Sequence, residues 1–423
     1  MFRRLALLPP LGLLLACSKG FSPEGGGPGP EAVAPDPVDT DRPVDTDVPE
    51  ETAEPVVDDG PLFDGSRVLG LTLTLEEAAL ASLAAAPSTS VEGALRIDGS
   101  APLQVGLRLG GQGAGFRGLE GKARWELDLG AVVEGQTLLG HRRFVLDGTP
   151  GDCSGLKASL GSLVARSVGL PAPRVGFATL RVNEADYGVY SFVEAVDDEL
   201  LARAGMAGAS VFDGQRQTLA DGTVVVADFV TGLDAAFVPV AGPAADLSAL
   251  AAVTLAVESS WATPEYYGTT AQVVDWPSVH AAWAVEEWLG AVGGYFQDRD
   301  HYYVITSPTL NRVSLLPGSV ETAFLGDGLG GRDWLTPLGQ LGVGCFQDGN
   351  CAYAQRVAVE SLLLALEGQP LALELETRGA LTRDLLVADP RRECALEAID
   401  PARAALAAWV GERALAVEAR WHL

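Results

Sequence analysis

Basic residues are scarce in this chain. Lysine and arginine number 29 against 56 aspartates and glutamates, a formal net charge of −27 over 423 residues. A nucleic-acid binder needs a basic face to neutralise phosphates, and none is present. Adhesion to anionic lipid is disfavoured on the same ground. Long apolar runs are also missing. The longest, residues 5–15, is broken by Pro9, Pro10 and Gly12 and falls short of the ~20 residues a spanning helix requires. Histidine occurs four times, at His141, His280, His301 and His422, and no G-x-S-x-G elbow accompanies it. The common hydrolase templates therefore find no support. There is no CxxC, so zinc ligation is the weaker reading of the five cysteines.

What is present starts with a processing signal. Arg3 and Arg4 precede the apolar run, which ends in Leu14-Leu15-Ala16-Cys17. This resembles the bacterial lipobox, in which a cysteine after a small residue is acylated and becomes residue one. An ordinary cleaved signal peptide is the rival, but no A-x-A-like site competes. Several acyl chains, each contributing about 0.8 kcal/mol per buried CH2, anchor stably where one would not. Ser18 after the cysteine resembles outer-membrane sorting. The expectation is an extracytoplasmic, lipid-anchored protein whose partners are the membrane and an unidentified envelope protein.

Residues 18–60 read as a tether. Gly25-Gly26-Gly27 is followed by Pro37-Val38-Asp39-Thr40-Asp41, repeated as Pro43-Val44-Asp45-Thr46-Asp47. Prolines and like charges, with no aromatic beyond Phe21, cannot bury enough surface to offset chain entropy. The tether contributes −10 and the signal arginines +2, so the remainder, residues 61–423, stays near −19. Setting Cys17 aside leaves Cys153, Cys345, Cys351 and Cys394, an even number in an oxidising compartment. Cys345 and Cys351 flank a turn-rich loop, and Cys153 with Cys394 would be the remaining pair.

The pattern beyond residue 60 predicts an α+β fold with a strand-rich front and a helical back. Strands are predicted at 68–73, 91–97, 103–109, 123–129, 175–182 and 187–193, with a hairpin whose loop runs from Asp98-Gly99 through Ser100 to Pro102 and another around 183–186. Helices are predicted after Thr74 as N-cap and at 156–168, 247–258, 278–289, 352–366, 371–387 and 401–421. Asp400 would cap the last of these, with Pro401 at its first position. Short strands at 301–305 and 312–316 interrupt the helical half.

Several segments fall into one order. Leu107-Arg108-Leu109-Gly110-Gly111-Gln112-Gly113 leads to Gly121-Lys122. Val182-Asn183-Glu184-Ala185-Asp186-Tyr187-Gly188-Val189-Tyr190 leads to Val193-Glu194, and Trp288-Leu289-Gly290 leads through Gly294-Tyr295 to Tyr302-Tyr303. In that order they resemble the CotH-type spore-coat kinase family, atypical secreted protein kinases. The resemblance implies a protein-kinase-like fold and use of ATP and Mg2+. Phosphoryl transfer needs a cation on the phosphates, oxygen ligands for the metal and a carboxylate for the acceptor hydroxyl. By resemblance, Lys122 is the candidate phosphate-facing cation, against an exposed strand lysine. Glu194 is suited to pair with a lysine, against simple solvation.

The chain departs from the family where chemistry is done. The family's W-D-G-Y stands here as Val292-Gly293-Gly294-Tyr295, so the aspartate resembling the catalytic base is Gly293. Its P-W-x-x-D stands as Pro317-Gly318-Ser319-Val320-Glu321, which makes Glu321 the candidate metal ligand. Asp298 and Asp300, just before Tyr302-Tyr303, are candidates for the missing carboxylate, although a solvated acidic loop is the simpler reading. The expectation is a degenerate kinase-like domain serving as a surface module. The alternative is an active exported kinase phosphorylating envelope proteins.

Overall fold

The computed structural model describes residues 60–111, 115–219, 221–243, 247–307, 309, 311–318, 323–324 and 333–423. Alternation of apolar and polar residues drives the first half into strands. β1 (Val68–Thr74) buries Leu69, Leu71 and Leu73 and turns the residues between them outward, the period-two habit of a strand packed on one face. β2 (Val91–Ile97), β3 (Leu103–Gly110), β4 (Arg124–Asp128) and β5 (Arg143–Asp147) follow in antiparallel order. β6 (Val175–Val182) and β7 (Ala185–Glu194) form a hairpin. β5 pairs with β7, and β6 runs parallel to β1, which closes the sheet into a barrel. Closure leaves no edge strand to template aggregation. Trp125, Phe144, Tyr190 and Phe192 belong to the core packed here, with Phe144 stacked on Phe192 at 4.7 Å.

Turn chemistry sets the register. Asp98 and Gly99 both take positive φ (50° and 75°), and Ser100 N–H closes on Ile97 C=O at 2.9 Å. This tight turn opens a longer loop, because the strands end at Ile97 and resume at Leu103, so the connection runs on to Pro102 as expected. The second hairpin is tighter than 183–186. Its strands run to Val182 and resume at Ala185, leaving Asn183 (φ 53°) and Glu184 at the tip. The Asn183 amide bonds both Leu75 N–H and Leu75 C=O, at 2.8 and 3.0 Å.

The second half builds a four-stranded antiparallel sheet of β8 (Ser210–Asp213), β11 (Val238–Ala241), β12 (Tyr302–Ser307) and β13 (Arg312–Pro317), in the order β11-β8-β12-β13. A small ribbon of β9 (Gln217–Thr218) and β10 (Val224–Val225) stands apart. The helices are α1 (Gly60–Phe63), α2 (Glu77–Ala85), α3 (Lys157–Ser167), α4 (Asp198–Arg203), α5 (Ser248–Ser260), α6 (Tyr266–Thr270), α7 (Trp276–Leu289), α8 (Gln340–Gln347), α9 (Gly349–Glu367), α10 (Leu371–Ala388) and α11 (Leu396–Trp421). Among the described residues no helix is long and apolar enough to cross a membrane.

α7 is the axis of this half. Most of its side chains are buried, and Trp283 stacks on Phe296 at 4.3 Å. Gly290 ends it in the left-handed region (φ 63°), a conformation glycine adopts without steric cost. α11 is pinned to it through the buried Glu287, which accepts from Arg420 at 2.6 Å and from Trp421 Nε1 at 2.9 Å. Two expected caps are corrected here. Thr74 ends β1, and Glu76 holds the N-cap position of α2 without a side-chain bond. α11 begins at Leu396, so Asp400 does not cap it and Pro401 lies inside. Burial of Ile399 supplies the reason, because it holds the turn before the proline against the core.

Candidate functional site

Lys122 sits just ahead of β4, only 4% exposed. Its ammonium donates to Tyr187 C=O at 2.8 Å and to the Asp389 carboxylate, and it lies 4.3 Å above the Tyr190 ring. Asp389, past the end of α10, also accepts from Val189 N–H (3.0 Å) and Arg391 N–H (2.8 Å). Gly188 has positive φ, and a Cβ there would collide with the Asp389 carboxylate, so only glycine lets the two chains meet. Burial pulls the Lys122 pKa down, and Asp389 restores part of it.

Residues 389–394 lie across this pair like a strap. The Arg391 guanidinium rests 3.4 Å from the Tyr187 ring and donates to Leu119 and Gly121 C=O. Glu393 accepts from Arg117 at 2.9 Å. Cys394 is bonded to Cys153, and Cys345 to Cys351, the pairing expected from the sequence. The cavity beside Lys122 measures about 30 Å³. Ligand pockets run from about 300 Å³ upward. The described residues around Lys122 therefore do not fit a nucleotide.

Glu194 lies at the far end of β7 from Tyr187, roughly 23 Å along extended strand. Arg174 reaches it through its backbone N–H (3.0 Å), Nε (3.2 Å) and Nη2 (3.1 Å), and Arg203 through Nε (3.1 Å) and Nη2 (2.7 Å). The lysine partner implied by resemblance is thus replaced by two arginines. Burial pushes the Glu194 carboxyl up, but bonds from Arg203 and Arg174 outweigh it and hold the group below the usual carboxylate range. A depressed folded value adds stability above the unfolded carboxyl pKa of about 4.3, lost as pH falls through the folded value. Acid unfolding should show this: Glu194→Gln is expected to be less stable at pH 7 and to lose less on acidification than the parent. Parallel acid profiles would contradict it.

The third element is the turn from Gly290 to His301. Gly293 C=O accepts from Asp300 N–H (2.8 Å) and His301 N–H (3.1 Å), and Val292 C=O from Asp298 N–H (2.9 Å). From below, the Glu286 carboxyl accepts from Tyr295 and Phe296 N–H at 3.0 and 3.1 Å. It packs so close to Gly294 that no Cβ would fit there. Burial pushes Glu286 up to about 8. Asp228 ties the same turn from the side, accepting from Tyr295 OH (2.8 Å) and Arg299 Nη1 (2.6 Å). Burial raises its carboxyl against the pull of Arg299.

Asp300 accepts from Arg216 Nε at 2.7 Å in a half-exposed pair, and Asp298 C=O accepts from Arg216 Nη2 at 3.2 Å. His301 Nε2 stands 3.9 Å from Asp213, at the end of β8. Burial pushes the Asp213 carboxyl up, opposed by His301 and Arg124. Arg124 and Glu126 of β4 also pack against the Gly110 backbone. Asp213, which faces His301, also lies within electrostatic reach of Arg124 and Glu126 of β4. Cys17, Gln112, Gly113 and Glu321 lie outside the described residues.

Lys122 and Glu194 are not brought together. Lys122 belongs to the strap, Glu194 to an arginine clamp, and the two aspartates to a loop beside Asp213. Sequence reasoning missed Asp389, Asp228, Asp213 and Glu286. Only Glu286 carried a signal, as an acid inside an apolar helix.

These features define an α+β protein with a closed barrel joined to a helix-backed sheet. Residues 112–225, about a quarter of the chain, are similar to the family model described as CotH kinase protein. No curated protein matches the chain. The matched span includes Lys122, Glu194 and Asp213 and ends before Gly293 and Glu321.

Proposed function

We propose that this protein is an exported envelope lipoprotein whose CotH-kinase-like domain acts as a binding or structural module and has lost phosphotransfer. Acylation of Cys17 and the acidic tether at 18–60 would hold the domain away from the membrane. The observation that carries the reading is the fate of Lys122, sealed against Asp389 beside a cavity too small for a nucleotide. Gly293 supports it, since glycine cannot accept a proton from an acceptor hydroxyl. The described residues named by resemblance do not gather around a site for ATP or Mg2+.

The alternative of an active exported kinase keeps one supporting feature. His301, next to Asp300, stands 3.9 Å from Asp213, whose carboxyl is within electrostatic reach of Arg124. In that reading Asp298 or Asp300 would take the acceptor proton and Glu321 would hold the metal. One assay separates the two. Full-length protein incubated with labelled ATP and Mg2+ or Mn2+ should incorporate no phosphate into itself or envelope proteins. Incorporation that Glu321→Ala abolishes and Asp298→Asn sharply reduces would sink the proposal and establish the alternative.

A further inference from the structure

The core of the helical half holds a group of soft donors that the kinase resemblance does not use. Cys345, in α8, and Cys351, in the first turn of α9, are joined by a disulfide and fully buried. His280 of α7 is 3% exposed, with Nε2 4.0 Å from Cys351 Sγ. The two sulfurs and an imidazole nitrogen all lie within 4.8 Å of one another.

We propose that reduction of the Cys345–Cys351 disulfide turns this cluster into a binding site for one soft cation, Zn2+ or Cu+, ligated by both Sγ atoms and His280 Nε2. Thiolate and imidazole donors select these ions over Mg2+ or Ca2+. The donors stand on elements that the core already fixes. α7 packs along α9, and Trp276 stacks on the His280 ring at 5.0 Å. Asp348 caps α9, accepting from Asn350 N–H (2.9 Å) and Cys351 N–H (3.2 Å) and, through its other oxygen, from Tyr267 N–H (3.0 Å).

The outer partner of the imidazole is in place as well. Gln355 Oε1, one turn beyond Cys351, lies 2.8 Å from His280 Nδ1. A hydrogen on Nδ1 leaves the Nε2 lone pair directed to the sulfurs, the arrangement typical of metal-bound histidine. Gln355 Nε2 has no hydrogen-bond partner among the described residues, an uncommon condition for a fully buried amide.

The chemistry balances with an external dithiol as reductant. It gives two electrons and two protons to the Cys345–Cys351 bond and becomes a disulfide itself. Each new thiol then releases its proton to solvent as its sulfur ligates the cation.

The test uses the full chain, oxidised or reduced with a phosphine and exchanged into anaerobic buffer, titrated with Co2+ and then Zn2+. Cys351→Ser, reduced in parallel, accounts for the other thiols. The reduced parent should bind one more equivalent of Co2+ than Cys351→Ser. That binding should show thiolate-to-metal absorption, be displaced by Zn2+, and be missing from the oxidised protein. His280→Ala should lose it, and Gln355→Leu should weaken it by about 10–100-fold. If reduction unfolds the chain, Zn2+ should restore its circular dichroism. Equal binding by the parent and Cys351→Ser would overturn the proposal, as would undiminished binding by His280→Ala. A folded reduced protein that takes up no Co2+, or an unfolded one that Zn2+ does not rescue, would do so too.

Discussion

Replacing Cys153 and Cys394 together by serine lowers the unfolding free energy by about 3–5 kcal/mol, the largest change expected from any pair of substitutions here. The disulfide joins residues 241 positions apart. It ties the loop after β5 to the strap that precedes α11. A cross-link over so long a loop restricts the unfolded chain strongly, and chain-entropy reasoning puts its effect at about 5 kcal/mol. The lower end of the range allows for the strap's other holds on the barrel, the Lys122–Asp389 pair and the Arg117–Glu393 bridge. Urea unfolding of the double variant beside the parent measures the difference. A loss below about 1 kcal/mol would mean that the strap is held without the disulfide and the unfolded chain gains little from its removal.

Asp389→Ala is expected to cost about 3–5 kcal/mol, because it strands a buried ammonium. Lys122 keeps only the Tyr187 carbonyl and the Tyr190 ring as partners. Burial already pulls its pKa down, and loss of Asp389 removes the main opposition to that pull, leaving the lesser influence of Asp186. The sign of the pH effect follows. A lysine whose folded value lies below its unfolded value of about 10.4 binds fewer protons when folded, so stability rises with pH across that interval. The variant should therefore recover part of its loss between neutral pH and about pH 10, relative to the parent. Lys122→Met combined with Asp389→Leu should recover most of it, since an apolar pair of similar volume often replaces a buried ion pair at little cost. Asp389 and the Cys153–Cys394 disulfide act on one segment. Their combined loss should thus fall short of the sum.

Local pattern carried most of the barrel. Leu69, Leu71 and Leu73 alternate with outward residues, and Asp98-Gly99 supplies the two left-handed positions that turn the chain in the loop between β2 and β3. β5 escaped because its alternation rests on Phe144 and Leu146 alone, inside a polar stretch. The start of α11 was misplaced for a different reason. Asp400-Pro401 has the form of a helix start, but burial of Ile399 extends the helix four residues before Asp400. Tertiary packing overrode a local signal there.

The site was less legible. Lys122 and Glu194 could be singled out by resemblance, but their partners could not. Asp389 lies 267 residues from Lys122, and no periodicity or spacing joins them. Arg203 lies nine residues from Glu194, yet nothing in the sequence says that α4 folds back to place it there. Gly293 was readable as a missing carboxylate. What fills the space around it was not, since Glu286 and Asp228 reach the turn from other elements.

The central claim is that Lys122 is a sealed structural cation and has no phosphate to meet. The chain has three lysines, Lys19, Lys122 and Lys157, so one labelling experiment can address it directly. Full-length protein treated with an ATP acyl-phosphate, which acylates lysines beside bound phosphates, is digested and mapped with and without excess ATP. The account predicts that Lys122 is labelled no more than Lys157 and that ATP leaves its labelling unchanged. Strong labelling of Lys122 that ATP suppresses would contradict it.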